Sequence, residues 1–338
     1  MLDIFNNDLF GVVSLTDAIN KPVFQPGRIG SMGLFSVRSV NTLMVIVEEK
    51  AGQLVLVSPS PRGSPGQTLD KNKATGRPFV IPHFQIDDAI YADEVQGVRA
   101  WGTENELETV QGKVAERMMI HRASHEVTLE YARVGAVIGV ITYADGSTTD
   151  LFTEFGVSQD AEVDWDLDAA SPVAGVLRGR AAATVRLMST NLGGLPFFGV
   201  KALVGDTFFD NLLAHVEVRN TFLNNPTAAE LRRSYVVNGQ SFGSFDFGGI
   251  DFENYRGAVG GTTFINTDKA HFFPIGVPNL FRTYFAPADY IETVNTNGKM
   301  LYAKQFEMPN GKGINMEVQM NQLSICTRPK ALLKGRRT

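Results

Sequence analysis

One long helical pattern, from Thr103 to about Val134, limits what the rest of the chain can form. Thr103 and Glu106 make a T-x-x-E capping box, which is typical of a helix N-terminus. At 1.5 Å per residue, about 32 residues span roughly 48 Å, longer than the core of a compact domain. The pattern therefore predicts a spine helix that links distant parts of the chain. Its apolar positions, at near-helical spacing, are Leu107, Val110, Val114, Met118, Val127, Tyr131 and Val134.

The residues before this helix predict an extended arm and a projecting loop. In residues 1–40, proline and glycine interrupt every periodic pattern, yet apolar side chains remain to be buried, so a neighbouring copy is a natural packing partner. Two β-type runs, Asn41–Glu49 and Gln53–Ser58, predict a hairpin that turns around residues 50–52. Residues 58–78 are rich in proline and glycine and almost free of large apolar side chains, so they predict a basic finger without a core of its own.

The remaining patterns mix short helices and strands and predict an α+β fold. The two acids Asp87 and Asp88 favour a helix start, and Asp145-Gly146 is typical of a hairpin turn between two strands. At 338 residues, the chain is long enough for more than one core. In chain order, the predicted elements are a strand at 77–85, a helix at 87–97, the hairpin turning at 145–146 with strands on both sides, helices at 173–188, 205–222 and 227–233, and strands within 197–203, 241–257, 270–277 and 316–329.

Charge is distributed unevenly around a formal net value of −5. Residues 21–80 hold eight Lys or Arg and three acids, whereas residues 87–168 hold eighteen acids and five bases. Opposite signs on different parts of one chain can make neighbouring copies attract each other. The alternative is that both regions are ordinary solvated faces.

Potential catalytic and metal-binding patterns are incomplete. His121 and His125 have the i, i+4 spacing of two metal ligands, but the zincin motif needs Glu after the first His, and this chain has Arg122. Without a third ligand, a solvated or interface histidine pair is the better interpretation. The glycine-rich run 257–263 lacks the lysine of a phosphate-binding P-loop. No cofactor or metal site is therefore predicted.

The acidic residues and the cysteine likewise indicate no catalytic or metal site. Asp164, Asp166 and Asp168 lie in a turn-rich segment and are expected to stay exposed. Cys326 is the one cysteine of the chain, which excludes an internal disulfide, and we expect it to be a small buried apolar residue. No run of eighteen apolar residues is present, so no membrane helix is expected.

Three stretches resemble a known family: FQPGRIGSMGLF, FVIPHFQIDDAIYADEVQGVRAWG and HFFPIGVPNLFRTYFAPADYIETVNTNG. They are similar to the lambda-type major capsid proteins of tailed bacteriophages, a family often called major capsid protein E. The resemblance implies a Hong Kong 97-like fold with an N-terminal arm (1–40), an extended loop (41–85), a peripheral domain with the spine helix (86–170) and an axial domain (171–338). Within the last range, residues 301–328 would return to the peripheral sheet.

The same resemblance implies a structural function without catalysis. Pentamers and hexamers would form an icosahedral head around double-stranded DNA, assembled in the host cytoplasm and found in the virion. Portal, scaffolding and decoration proteins are the implied partners, with only weak non-specific contact to DNA. Some relatives crosslink a loop lysine to an asparagine of a neighbour, but the partner positions cannot be matched here. The alternatives are a tail or portal component, and an enzyme with an unrecognised site.

Contacts between copies are expected where the basic arm and finger of one copy cross the acidic spine of the next. Each exposed ion pair would contribute only about 0.2–1 kcal/mol, so many copies are needed. The candidate residues are Phe24, Arg28, Leu34, Phe35, Arg62, Lys71, Lys73 and Arg77 on the arm and finger, and Glu104, Glu108 and Glu116 on the spine.

Overall fold

The protein is described by a computed structural model that covers residues 27–49, 75–96, 110–169, 171–223 and 241–338. Two compact units are present. Among the described residues, the first unit is drawn from His83–Thr128 and Met300–Met320. The second is drawn from Gly27–Pro82, Leu129–Lys299 and Asn321–Thr338.

Helices and strands alternate irregularly along the chain, as expected for an α+β protein. The helices are α1 (Arg28–Ser31), α2 (Ala92–Val95), α3 (Val110–Ile138), α4 (Leu151–Phe155), α5 (Val176–Asn191), α6 (Asp206–Ala214) and α7 (Val216–Leu223). The strands are β1 (Phe35–Ser39), β2 (Met44–Glu49), β3 (Thr75–Val80), β4 (His83–Tyr91), β5 (Val140–Thr142), β6 (Thr148–Asp150), β7 (Val163–Asp164), β8 (Gly199–Val204), β9 (Ser241–Phe247), β10 (Ile250–Tyr255), β11 (Ala258–Val259), β12 (Thr262–Thr263), β13 (Lys269–Ile275), β14 (Phe281–Phe285), β15 (Tyr302–Glu307), β16 (Gly313–Cys326) and β17 (Leu333–Arg336).

The second unit is built on a six-stranded sheet in the order β7-β17-β13-β8-β10-β9. Its core centres on Trp165, whose ring stacks on Phe272 at 5.4 Å and meets Phe252 edge-on at 5.5 Å. Apolar residues of α5 and α6, among them Leu177 and Phe208, pack into the same core. Large aromatic rings bury much apolar surface, so this cluster is a main source of stability for the sheet and its helices.

The long strand β16 belongs to the first unit up to Met320 and to the second unit from Asn321. In the second unit, β1 runs parallel to β14, which pairs antiparallel with residues 322–326 of β16. In the first unit, β15 pairs antiparallel with residues 314–319 of the same strand, and β4 also pairs with β16. A small core of Ile90, Val95, Val114 and Met316 lies in the first unit.

The spine helix is confirmed, with a later end than the periodicity predicts. Helix α3 continues past Val134 to Ile138. It ends there because Gly139 has φ +97° and its N–H donates to the carbonyl of Gly135, which closes the last turn. The capping box at Thr103 and Glu106 lies outside the described residues.

The hairpin prediction for residues 41–58 needs a correction. β2 pairs with β3, from Met44 opposite Val80 to Glu49 opposite Thr75. The partner of this strand therefore follows the proline- and glycine-rich segment instead of preceding it. The predicted turn at residues 50–52 and the predicted strand Gln53–Ser58 lie outside the described residues.

The predicted helix at 87–97 is wrong for most of its length. Residues 83–91 form strand β4, and only Ala92–Val95 are helical. The two acids Asp87 and Asp88 do favour a helix start, but backbone pairing with β16 and the burial of Ile90 outweigh that local preference.

Two smaller corrections have similar causes. Residues after Asp150 turn into α4 because the Asp150 carboxylate accepts the Phe152 N–H at 2.9 Å and caps a helix. The helix predicted at 205–222 is interrupted at His215, which is extended, so α6 and α7 are separate. The helix predicted at 227–233 lies outside the described residues.

Candidate assembly surfaces

The β2–β3 hairpin presents an apolar face to solvent. Ile46 and Val80 are 67% and 68% exposed, and Met44 lies directly opposite Val80 on the neighbouring strand. Leu43 and Pro78 extend the same exposed region. We call these five residues the outer hairpin face. An exposed cluster of apolar side chains on one strand pair is typical of a surface that another protein covers.

The opposite face of the hairpin is anchored in the second unit. Val45, Val47 and Phe79 are buried, and the Phe79 ring lies 5.5 Å from the ring of Phe155 on α4. The alternation follows from the two-residue repeat of a strand, which points successive side chains to opposite faces. The inner face thus fixes the hairpin, while the outer face stays available.

Arg77, expected to contact a neighbouring copy, is bound within its own chain. Its guanidinium donates to the backbone carbonyl of Glu154. Gly156 follows with φ +61°, and a Cβ there would stand 3.2 Å from the Arg77 guanidinium. The arginine therefore fastens β3 to the end of α4.

Two buried carboxylates hold α1, the first described helix. Glu130 of α3 accepts the backbone N–H of Ile29 at 2.6 Å and of Gly30 at 3.0 Å. Glu253 of β10, which is fully buried, forms a two-point contact with Arg28, at 2.5 Å to Nε and 3.0 Å to the second nitrogen. We call Glu130 and Glu253 the carboxylate clamp.

The pKa values of the two members of the carboxylate clamp are shifted in opposite directions. Burial raises the pKa of Glu130, and this effect outweighs the hydrogen bonds from Ile29, Gly30 and Tyr255. Burial would also raise the pKa of Glu253, but Arg28 and Lys201 more than offset it, so its pKa lies below the ordinary value. Lys201 Nζ stands 2.8 Å from the Glu253 carboxylate.

Other arm residues also contact their own chain. The Phe35 ring lies 5.2 Å from that of Phe281, and the Arg133 guanidinium lies 5.4 Å from the centre of the Phe35 ring. Leu34 is partly buried. Phe24, Arg62, Lys71 and Lys73 lie outside the described residues.

The first unit exposes both charge and apolar surface on α3. The Glu116 side chain is about half exposed and pairs with Lys113 at 2.7 Å. Met119 is 67% exposed, and Ile120 is also exposed. By their helical spacing, these two residues lie on a different side of α3 from the buried residues that include Val114. That spacing could have indicated their exposure from the sequence. Glu104 and Glu108 lie outside the described residues.

A solvated or interface histidine pair was predicted; both side chains are buried, so the solvated alternative is wrong. His121 Nε2 lies 3.0 Å from a carboxylate oxygen of Asp88, and His125 Nε2 lies 3.1 Å from the backbone oxygen of Val318. The i, i+4 spacing directs both rings toward strands β4 and β16 of the first unit. Burial lowers the pKa of His125. Within the ranges that the structure describes, no group of three or more His, Cys, Asp or Glu could hold a metal ion.

The remaining candidates have structural roles. Asp164 pairs with Arg336 at 3.2 Å and Asp166 with Arg180 at 3.4 Å, while Asp168 is exposed. Cys326 is buried as expected, and burial raises the pKa of its thiol to about 12. None of the helices in the described parts of the chain is long and apolar enough to cross a membrane.

The carboxylate clamp was not predicted, because its members contact residues far away in sequence. Glu253 and Arg28 are separated by 225 positions, and Glu130 and Ile29 by 101. One sequence signal was available: Glu130 lies between apolar and aromatic residues in the segment TLEYA, and Glu253 follows Phe252 in the β-type segment IDFENY. A charged residue in such a segment is buried only when it has partners.

Comparison with known proteins gives a consistent result. The family described as phage major capsid protein E matches residues 11–337. The chain is 27% identical over 326 residues to the major capsid protein of Pseudomonas phage KPP10, covering 92% of each protein. It is 25% identical over 365 residues to that of Salmonella phage Felix O1 (isolate Felix O1-VT1), covering 99% of this chain and 98% of that protein. The capsid structure of cyanophage A-1(L) matches with a TM-score of 0.55 and 11% identity over 99% of both chains.

Proposed function

The chain belongs to the phage major capsid protein E family, and we propose that its copies contact one another through the exposed faces of the β2–β3 hairpin and of α3. It is a structural subunit of a phage head, with a Hong Kong 97-like α+β fold, and its role is not enzymatic. Copies of the chain form the shell of the virion.

The outer hairpin face is the observation that carries this proposal. Full burial of a large aliphatic side chain contributes about 1.5–3 kcal/mol, and this face offers several such side chains side by side. Ile46 and Val80 gain only a small part of that free energy from the fold of their own chain, since both are mostly exposed. A neighbouring copy that covers them would gain most of that free energy at every contact of the shell.

We propose that the outer hairpin face covers the exposed part of α3 in the next copy. Met119 and Ile120 supply the apolar side of this contact, and Glu116 supplies an acid beside them. The basic finger, with Arg62, Lys71 and Lys73, would then lie over the acids of the spine. Those acids are Glu104, Glu108 and Glu116.

The arm has a smaller part in this proposal than the sequence suggested. Arg28 and Phe35 make contacts inside their own chain, and Leu34 is partly buried there. Of the arm candidates, Phe24 is the one left for a neighbouring copy. Arg77 acts from within the chain by holding β3 in place.

The larger assembly follows the family pattern as a further part of the proposal. Pentamers and hexamers would close the icosahedral head around DNA in the host cytoplasm, with portal, scaffolding and decoration proteins as partners. The domain scheme is an arm (1–40), an extended loop (41–85), a peripheral domain (86–170) and an axial domain (171–338), with residues 301–328 returning to the peripheral sheet.

A charge placed on the outer hairpin face tests this contact. Ile46→Asp should fold as the wild type does, because the side chain is mostly exposed, but it should form no closed shells. The matched control is Asn41→Asp, which adds the same charge at a nearby exposed polar position. Electron microscopy of sedimenting particles, with circular dichroism of the subunits, measures both properties. Normal shells from Ile46→Asp would contradict the proposal.

The partner surface can be tested by complementary charges. Ile46→Lys and Met119→Glu should each impair assembly, because each places an unpaired charge in an apolar contact. Together they should assemble better than either single variant, since opposite charges would then face each other. If the double variant is as defective as the worse single variant, the two faces do not meet.

A further inference from the structure

Helix α1 is bound by two carboxylates with different partners: Glu130 accepts backbone N–H groups, and Glu253 pairs with the Arg28 side chain. We propose that the carboxylate clamp is a pH-dependent anchor for this segment: acid loosens the contacts that Glu130 makes with Ile29 and Gly30, while Glu253 keeps hold of Arg28. Ile29 and Gly30 would then lose their contacts with Glu130, while Arg28 stays bound to Glu253.

The contacts at Glu130 are strongest when its carboxylate is ionised. One oxygen accepts the Ile29 N–H at 2.6 Å and the Tyr255 hydroxyl at 3.2 Å, and the other accepts the Gly30 N–H at 3.0 Å. An ionised carboxylate only accepts hydrogen bonds, which suits three converging donors. A proton on either oxygen adds a fourth donor where donors already meet, so the backbone contacts weaken.

The surroundings of Glu130 oppose the charge that these contacts need. Glu130 is almost fully buried, and burial raises its pKa. The charged and titratable groups that interact with it are Arg133 from its own helix and Tyr255 from β10. Arg28, which precedes Ile29 in α1, pairs with Glu253 of β10. Lys201 of β8 is bound to Glu253. Burial outweighs the favourable charge of Arg133, so Glu130 takes up a proton more readily than an exposed glutamate. The hydrogen bonds from Ile29 and Gly30 act the other way and lower its pKa, so they favour the charged carboxylate. While the carboxyl stays buried, protonation therefore weakens these two bonds.

Glu253 resists protonation under the same conditions. Arg28 contacts both of its oxygens, and Lys201 Nζ lies 2.8 Å away. Two cations around one carboxylate stabilise its charge, and the pKa of Glu253 falls below the ordinary value despite burial. As pH falls, Glu130 is therefore protonated first, and the Arg28–Glu253 pair persists.

Amide hydrogen exchange on the full, unassembled chain tests this anchor directly and does not depend on shell formation. Exchange of the Ile29 and Gly30 amides would be followed from about pH 8 to about pH 4.5 and corrected for intrinsic rates, a range that covers a glutamate with a raised pKa. Protection of both amides should fall about tenfold or more on acidification, the size expected for lost hydrogen bonds to a charged acceptor.

Two variants separate the anchor from general stability. In Glu130→Gln, protection of Ile29 and Gly30 should already be low at neutral pH and should no longer depend on pH. Glu126→Gln is the matched control, because Glu126 lies one turn away and pairs with Arg122 at the surface. Exchange in this control should match the wild type.

Tyr255→Phe provides a measurement that stands even if Glu130→Gln does not fold. It removes one hydrogen bond to the ionised carboxylate, so the loss of protection should move to higher pH. Wild-type protection that does not change with pH, full protection in Glu130→Gln, or an unshifted transition in Tyr255→Phe would each overturn the proposal.

Discussion

Phe79 of β3 and Phe155 of α4 pack with their ring centres 5.5 Å apart and their planes tilted by 37°. Both rings are buried, whereas Ile46 and Val80 on the other side of the same hairpin are exposed. An isolated two-stranded hairpin is at best marginally stable in water. This aromatic pair is therefore one of the contacts that keep the outer hairpin face in position for a neighbouring copy.

Phe155→Ala should loosen the hairpin from its own subunit. Loss of a buried phenylalanine ring costs about 3–5 kcal/mol of unfolding free energy when the surroundings cannot close the cavity. Chemical denaturation measures this loss, and faster exchange of the Val45 and Val47 amides would locate it in β2. Phe198→Ala is the matched control, since Phe198 is 90% exposed, and should change stability by less than about 0.5 kcal/mol. Equal losses in the two variants would contradict this role of the pair.

The C-terminal end of α3 should be intolerant of a side chain at Gly139. This glycine has φ +97°, and a Cβ would stand 2.3 Å from the buried ring of Phe152. Gly139→Ala should thus carry the backbone cost, about 1–2 kcal/mol, and an overpacking cost of about 1–3 kcal/mol.

Gly146→Ala is the control for that substitution. Gly146 has a similar φ of +83°, but no atom lies within 4 Å of a Cβ added there. Only the backbone cost applies, so thermal unfolding should show a clearly smaller loss than in Gly139→Ala. A loss of the same size in both variants would mean that the Phe152 ring moves aside freely.

His271 should make the subunit less stable in acid. Burial lowers its pKa to about 4, and Lys334 and Lys269 act in the same direction, while Glu162 opposes them. The unfolded chain, with a histidine pKa near 6.5, binds the proton first, so stability falls as pH drops from about 6.5 to about 4. The full effect is roughly 3 kcal/mol.

His271→Gln removes this titration. The unfolding free energy of the variant, measured by urea denaturation across the same pH range, should depend on pH less steeply than that of the wild type. Other groups still titrate there, so the informative quantity is the difference between the two slopes. Identical slopes would show that His271 does not bind its proton preferentially in the unfolded chain.

Local patterns in the sequence predicted much of the fold. The spine helix follows from the 3.6-residue repeat of its apolar residues, and the β5–β6 turn from Asp145-Gly146, where Gly146 has φ +83°. The core strands β8, β10 and β13 follow from short apolar and aromatic runs. Each of these elements has a signal within a few residues of itself.

Elements decided by distant partners were not predicted. Strand β4 forms where Asp87 and Asp88 suggest a helix, because β16 is available to pair with it. Strand β2 itself was predicted, but its pairing was not, because its partner β3 lies beyond the finger. His121 and His125 are buried for a similar reason, since Asp88 and Val318 belong to other strands. The candidate assembly surfaces were predicted as charged residues of the finger and spine and apolar residues of the arm, whereas the outer hairpin face became apparent only in the structure.

The pairing of Glu49 with Thr75 has a practical consequence, because the chain leaves the hairpin and returns to it at one point. The entropy cost of closing such a connection grows slowly, by about 0.6 kcal/mol for each doubling of its length. A foreign peptide grafted between these two positions would leave the register of the strands unchanged. Every subunit of a head would then carry the insertion, so the proposed contact between the finger and the next copy would change throughout the shell while the strands of each subunit keep their pairing.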